Sequence, residues 1–216
     1  MNYVLVVLLS AISTFVCARC MKPAIFPEST FSAWLRSKQG MVYTLLGLVV
    51  GLLAASAKLY WSGNLLGASM NLLCMEMLYA MAVSDAKIMK IPNHLCLFGL
   101  GIVLIKPIVY IVKMPESALA GALSMLIGGL LGGGIFFICA LIKPGSVGMG
   151  DVKIFGLLGM IYGFSGCFSL ILMSLLLVLP VAIVMLIRKK AGRTTKYAMA
   201  PYIAASALIH MLSGLI

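Results

Sequence analysis

The amino-acid sequence predicts an all-α fold, a polytopic bundle of transmembrane helices. Hydrophobic residues make up 63% of the 216 residues and charged residues only 10%, and the mean hydropathy is +1.16. In soluble domains charged residues alone make up about a quarter, so this composition is typical of a chain surrounded by lipid. The charged residues also cluster in short segments between long apolar runs, as they do in the loops of membrane proteins.

Apolar runs of about 20 residues, the length of a helical span, recur along the chain. The sixth predicted span is short, and only Gly163-Phe164-Ser165-Gly166 separates it from the seventh, so six or seven crossings are the alternatives to eight. No basic residues precede the first run, which is therefore predicted to be a retained span rather than a signal peptide. The eight predicted spans lie near residues 2–17, 41–60, 65–84, 95–112, 118–142, 152–165, 168–187 and 198–216.

The basic residues predict how these spans are oriented. With the N-terminus outside, thirteen of the sixteen Lys and Arg residues fall in cytoplasmic segments, and only Lys58, Lys106 and Lys113 fall outside. Such an excess of positive charge marks cytoplasmic loops. The net charge of +11 is confined to these short loops, which argues against nucleic acid as a partner and indicates contact with the lipid bilayer.

The longest loop, residues 17–40, is predicted to be cytoplasmic and is too short to fold as a separate domain. We therefore expect one integral-membrane domain over residues 1–216. The polar and aromatic run Ser29-Thr30-Phe31-Ser32-Ala33-Trp34 predicts a short helix on the membrane surface within this loop.

Span five contains two overlapping G-x-x-x-G repeats, formed by Gly128 with Gly132 and by Gly129 with Gly133, and Gly134 follows them. Small residues at this spacing let two helices approach closely, so the repeats predict helix packing. The alternative is that the glycines let this helix bend to admit a substrate.

The chain contains only two aspartates, Asp85 and Asp151, and each lies in a lysine-bearing segment that ends or begins an apolar run. The predicted orientation places both at the cytoplasmic boundary. Two carboxylates brought together there cannot both ionise cheaply and should share a proton. One could then deprotonate a water while the other protonates a leaving group. The alternative is that each aspartate pairs with a lysine, Lys87 or Lys153, or caps a helix.

Three segments resemble the type IV prepilin peptidases, integral-membrane aspartic proteases that share a G-x-G-D core with presenilin. Gly148-Met149-Gly150-Asp151-Val152-Lys153 is similar to the family's G-x-G-D-x-K signature. Asp85-Ala86-Lys87-Ile88-Met89-Lys90-Ile91-Pro92-Asn93 resembles its first aspartate segment, in which a basic stretch and Ile-Pro-Asn follow the aspartate. Ala200-Pro201-Tyr202-Ile203-Ala204 resembles its C-terminal motif, and the resemblance covers residues 65–216.

The resemblance implies a membrane aspartic endopeptidase with Asp85 and Asp151 as its catalytic dyad. Its substrate would be a prepilin or pseudopilin, in which a basic N-terminal leader precedes an apolar helix. The leader would be removed at the cytoplasmic face of the inner membrane, in type IV pilus assembly or protein secretion. The resemblance implies no cofactor and no metal, and it predicts no oligomeric state. The residues of the matching motifs that would support the dyad are Gly148, Gly150, Lys153, Lys87, Pro92, Asn93 and Pro201.

The first quarter of the chain departs from the larger, bifunctional members of that family. Their loop after span one is longer and carries two Cys-x-x-Cys pairs that bind zinc and are associated with N-methylation. This chain has the single pair Cys17 and Cys20, which supplies two of the four ligands of a structural zinc site. The resemblance is therefore to the short peptidases of tight-adherence pilus systems and does not extend to the methyltransferase activity.

Three other functions are alternatives. A proton- or cation-coupled transporter subunit would place the aspartates near the bilayer midplane on broken helices. A presenilin-like protease would cleave general transmembrane substrates, although the Ile-Pro-Asn segment belongs to the prepilin branch. A non-catalytic subunit of a secretion machine would tolerate Asp→Asn at either position.

Glu76 and the lysines near the aspartates each have two interpretations. Glu76 lies nine residues before Asp85, about 180° around a helix, so it should face away from the dyad. It is either a structural partner inside the membrane or a residue that handles substrate. Lys87, Lys90 and Lys153 either stabilise the charged aspartates or anchor the loops to anionic lipid, and anchoring is favoured.

Overall fold

The computed structural model describes residues 2–25, 30–113, 115–145, 147–187 and 197–214. Within these ranges the chain forms α-helices and one 3₁₀ turn, Pro115–Ser117, and no strand. The predicted all-α class is therefore confirmed. The basic loop predicted at residues 188–196 lies outside the described residues. The helices are α1 (Asn2–Ile25), α2 (Phe31–Arg36), α3 (Lys38–Ser62), α4 (Leu65–Ile88), α5 (Asn93–Lys113), α6 (Ala118–Ile142), α7 (Met149–Ile187) and α8 (Ala200–Leu212).

Five stretches of the described chain are long and apolar enough to cross a membrane, and they correspond to α1, α3, α4, α6 with its preceding 3₁₀ turn, and α7. The apolar parts of α5 and α8, Asn93–Ile108 and Ala200–Leu212, are shorter. Large apolar side chains are exposed along these helices, as lipid contact requires. The protein is an integral membrane protein with several helical spans.

Predicted spans six and seven correspond to the two helical segments of α7, which is 39 residues long in all and has a kink at the non-helical Gly163. Gly163 has φ 74° and ψ −171°, a conformation that is open to glycine because it lacks a Cβ atom. The part before Gly163, residues 149–162, is about 21 Å long at 1.5 Å per residue. It is therefore shorter than the roughly 30 Å hydrocarbon core, in agreement with the short sixth span expected from the sequence.

The described chain divides into two compact units. One comprises Met1–Ile102 and Ala207–Ile216, and the other comprises Val103–Ser206. In the first unit, α3 and α4 form an antiparallel pair joined at Gly63 and Asn64, and α1 packs against both helices. Gly63 ends α3 with φ 60°, and the Asn64 side chain caps α4 by accepting from the backbone N–H groups of Leu66 and Gly67.

The N-terminal helix is longer than expected, since α1 continues to Ile25 and includes Cys17 and Cys20. The short helix predicted in the following loop is present as α2, capped by the Thr30 side chain. Its Trp34 is buried at 3% exposure, and its Phe31 ring lies 5.1 Å from the Phe15 ring of α1. Protein contacts therefore cover one side of α2.

In the second unit, α6 packs along α7 through its glycines. A Cβ atom at Gly132 would overlap the carbonyl oxygen of Phe155 and lie 2.7 Å from the Cys167 sulfur, so only glycine allows this approach. About one helical turn further along α6, the rings of Phe136 and Phe155 stack with their centroids 4.3 Å apart. This close packing fixes the first half of α7 against α6.

Candidate active site

Asp85 lies in the last turn of α4, where the helix reverses towards α5. Its side chain is 8% exposed. The backbone carbonyl of Asp85 accepts the N–H of Met89 at 2.9 Å, and Met89 ends the helix with φ 53° and ψ 32°. This left-handed residue closes the helix and turns the chain away from it.

The segment after Asp85 forms a tight, internally bonded turn. The buried Ser84 hydroxyl donates to the backbone carbonyl of Lys90 at 2.9 Å. Pro92 directly precedes α5, where its fixed φ suits a helix start and its missing N–H costs nothing, and its carbonyl accepts the N–H of Leu95 at 3.1 Å. The predicted motif residue Pro92 therefore shapes the turn that follows Asp85, and Asn93 is the first residue of α5.

Lys87 lies two residues after Asp85 on the exposed side of α4. Its ammonium nitrogen lies 4.7 Å from the centroid of the Tyr43 ring of α3, a cation–π distance. This contact ties the Asp85 end of α4 to the start of α3. It is a third role for Lys87, beside the two that the sequence suggested.

Asp151 lies in the first turn of α7 and is half-buried. Gly148 stands at the start of this helix, where its carbonyl accepts the N–H groups of Asp151 at 3.0 Å and Val152 at 3.4 Å. A Cβ atom at Gly148 would lie 3.2 Å from Asp151 Oδ2, so the first glycine of the G-x-G-D motif leaves space beside the carboxylate. A carboxylate here also interacts favourably with the N–H groups of the helix start.

The other predicted motif residues lie close to the aspartates in sequence, with one exception. Gly150 is in the first turn of α7 and Lys153 is exposed on the same helix. Pro201 is in the first turn of α8, where Met199 accepts the N–H of Tyr202 at 3.0 Å. Asp85 belongs to the first compact unit, whereas Asp151 and Pro201 belong to the second.

Two polar interactions, one buried and one half-buried, were not identified from the sequence. The Glu76 carboxylate of α4 accepts hydrogen bonds from Ser10 and Thr14 of α1. Lys106, which the sequence placed in an outer loop, lies within α5 and donates to the carbonyl of Ile161, two residues before the interruption at Gly163. A lysine inside an apolar run is itself a signal of a buried acceptor, but the sequence does not say which carbonyl it meets.

The cysteines of the Cys-x-x-Cys pair lie on α1, where Cys17 is buried and Cys20 is half-buried. Within the described ranges, no three His, Cys, Asp or Glu side chains lie together as a metal site would require.

Comparison with known proteins identifies the family. The sequence model of the type IV leader peptidase family matches residues 72–183, just over half of the chain, and this range contains both Asp85 and Asp151. Pro201 and the cysteine pair lie beyond it. No curated protein and no solved structure shows a significant match. The chain therefore belongs to the type IV leader peptidase family, and it is a membrane peptidase of the prepilin leader peptidase kind.

Proposed function

We propose that this protein is an aspartic endopeptidase that removes the basic leader of prepilin-like or pseudopilin substrates at the cytoplasmic membrane face, with Asp85 and Asp151 as the catalytic pair. The observation that carries the proposal is the family match, because it includes both aspartates of the chain. The family implies prepilin-type substrates.

The positions of the two aspartates support hydrolysis at the membrane boundary. Asp85 is in the last turn of one helix and Asp151 in the first turn of another, so each carboxylate lies at an end of its helix. A transporter would use carboxylates near the middle of the bilayer. A leader that emerges from the bilayer would instead meet both groups where its own apolar helix ends.

The proposed chemistry needs one aspartate ionised and the other protonated. The ionised carboxylate takes a proton from a water molecule, whose oxygen bonds to the carbonyl carbon of the scissile peptide. The protonated aspartate hydrogen-bonds to the carbonyl oxygen as charge develops there. When the tetrahedral intermediate collapses, the C–N bond breaks and the nitrogen receives the proton that the first carboxylate took from water, so the mature N-terminal amine leaves.

The basic leader of the proposed substrate is attracted by ionised carboxylates and repelled by the lysines near Asp85 and Asp151. Asp151 is bordered by Gly148 and Gly150, so an extended peptide backbone can lie beside it. This space beside Asp151 favours an extended substrate.

The test is co-expression with a prepilin, in which leader removal is followed by the mobility shift of the substrate. We expect Asp85→Asn and Asp151→Asn each to lower the cleavage rate by about 10²–10⁴-fold, the contribution of one general acid–base group. Glu116→Gln is the matched control, because Glu116 is an exposed acidic residue outside the α-helices. This variant should cleave the substrate at the rate of the wild type.

Membrane levels and thermal unfolding of each variant show whether it is folded. If either Asp→Asn variant still cleaves at a rate near that of the wild type, the dyad is wrong. A prepilin without its basic leader distinguishes leader processing from general transmembrane proteolysis, since only a presenilin-like protease should cleave it.

A further inference from the structure

The Glu76 carboxyl group lies in the interior of the first unit and is 1% exposed. Its Oε1 atom accepts the hydroxyl of Ser10 at 2.9 Å and the hydroxyl of Thr14 at 2.7 Å, both from α1. The Glu76 side chain also packs closely against Gly51 of α3, where a Cβ atom would lie 2.7 Å from the Glu76 Cγ and Oε1 atoms. One oxygen of this carboxyl group is therefore fully used to join α4 to α1.

The second oxygen, Oε2, is buried and has no hydrogen-bond partner among the described residues. A buried carboxyl oxygen without a partner loses its interaction with water and gains nothing in return. Such atoms in folded proteins are commonly satisfied by a bound water molecule.

A cavity of about 10 Å³ lies beside Glu76. This is close to the smallest volume that holds one water molecule and is far too small for an organic ligand. A bound water needs two to four polar partners, and the Glu76 carboxyl group and several hydroxyl-bearing residues are among those that line this mostly apolar cavity. Its polar lining consists of Thr14, Cys17, Tyr43, Thr44, Glu76 and Tyr79.

We infer that this cavity is a binding site for a single water molecule, which donates a hydrogen bond to Glu76 Oε2 and joins α1, α3 and α4. The site lies nine residues before Asp85, about 14 Å along the axis of α4. It is separate from the proposed peptidase chemistry and does not depend on it. Glu76 thereby serves as a structural group with both oxygens satisfied, one by α1 and one by water.

Radical footprinting of the purified protein in nanodiscs tests this inference. Hydroxyl radicals made by X-ray irradiation of ¹⁸O water label reactive side chains next to bound water, even when those side chains are buried. Cys17 and Met21 line the cavity and are 4% and 3% exposed. Cys74 and Met77 are 0% exposed and are not among the residues that line it, so they are the internal controls. We expect Cys17 and Met21 to be labelled at least about fivefold more than these controls.

Two variants remove the water in different ways. Glu76→Leu removes the acceptor, and Gly47→Ala fills the cavity, where its Cβ atom would lie 3.2 Å from the Tyr79 ring and 3.5 Å from Thr14 Cγ2. Both should lower the labelling of Cys17 and Met21 to the level of the controls. Gly101→Ala, which places the same methyl group in open space, should leave the labelling unchanged.

The inference is overturned if Cys17 and Met21 of the wild type are labelled no more than Cys74 and Met77. It is also overturned if labelling in Gly47→Ala equals that of the wild type, because the radicals would then come from bulk solvent. Gly47→Ala keeps the Glu76 carboxyl group and its hydrogen bonds, so it keeps the test decisive if Glu76→Leu does not fold. Leader cleavage is not a readout, and failure of the proposed peptidase chemistry therefore leaves this test intact.

Discussion

At the scale of single residues, the turn after Asp85 contains backbone strain. Met89 is the one non-glycine residue with positive φ among the described residues, at 53°. A side chain in the left-handed region costs roughly 1 kcal/mol, since Cβ approaches the following carbonyl. The strain is retained at the residue that ends the Asp85 helix, where the chain must reverse within four residues to reach Asn93.

Met89→Gly should relieve this strain. We expect the free energy of unfolding to rise by about 1 kcal/mol, which corresponds to about 2–4 °C in the melting temperature for a chain of this size. The measurement is thermal unfolding of the purified protein in detergent. Met149→Gly is the control: Met149 is as exposed as Met89, both at 54%, but it lies within a helix, so its variant should be no more stable than the wild type. Equal effects in both variants would contradict the strain argument.

At the scale of helices, α6 packs against α7, the helix whose first turn contains Asp151. Gly128 and Gly132 face the backbone of α7 so closely that Cβ atoms would overlap Gly159 and Phe155. The sequence left two interpretations of these glycines, packing and bending. The observed contacts favour packing, because a glycine that serves only to bend the helix does not need a backbone neighbour at this distance.

Gly132→Ala should force α6 and α7 apart and destabilise the protein by about 1–3 kcal/mol, the usual cost of overpacking. Gly134→Ala is the matched control on the same helix, since nothing lies within 4 Å of its Cβ position. Alanine there should be neutral or stabilise the helix by about 0.5–1 kcal/mol. Thermal unfolding gives the comparison. If both variants melt at the same temperature, close packing at Gly132 does not contribute to stability.

At the scale of the whole molecule, the basic residues predict that the Asp85 and Asp151 ends of their helices face the cytoplasm. Within the first unit, Asp85 lies at the end of α4 opposite the Gly63–Asn64 turn, next to which Tyr60 and Trp61 are 83% and 57% exposed. Exposed aromatic residues at one helix end are typical of a membrane interface. Lys87, in the last turn of α4, therefore lies at the end of this helix away from these aromatic residues, and the orientation itself stays a prediction.

Single cysteines in a cysteine-free variant test this orientation in spheroplasts with a membrane-impermeant thiol reagent. Ser62→Cys and Glu116→Cys are exposed near predicted outer loops and should react in intact spheroplasts. Lys90→Cys and Lys143→Cys are exposed near predicted cytoplasmic loops and should react only after lysis. The opposite pattern would place the aspartates on the outer face and contradict cytoplasmic leader cleavage.

The sequence by itself determined the all-α membrane class, most helix positions and the family. Hydropathy over about 20 residues is a local property, so it locates spans without knowledge of their neighbours. The G-x-G-D and Ile-Pro-Asn motifs are equally local, because each is a turn at a helix end with the residues that such a turn requires.

Only the tertiary structure decided what the buried polar groups contact. Glu76 meets Ser10 and Thr14, which are 66 and 62 residues away, and Lys106 meets a carbonyl 55 residues away. It also showed that the break between predicted spans six and seven is a kink at Gly163, whose backbone is non-helical. In lipid, both faces of a helix are apolar, so hydropathy does not indicate which face meets another helix. The partners of a buried carboxyl group therefore depend on packing, which no local pattern in this sequence records.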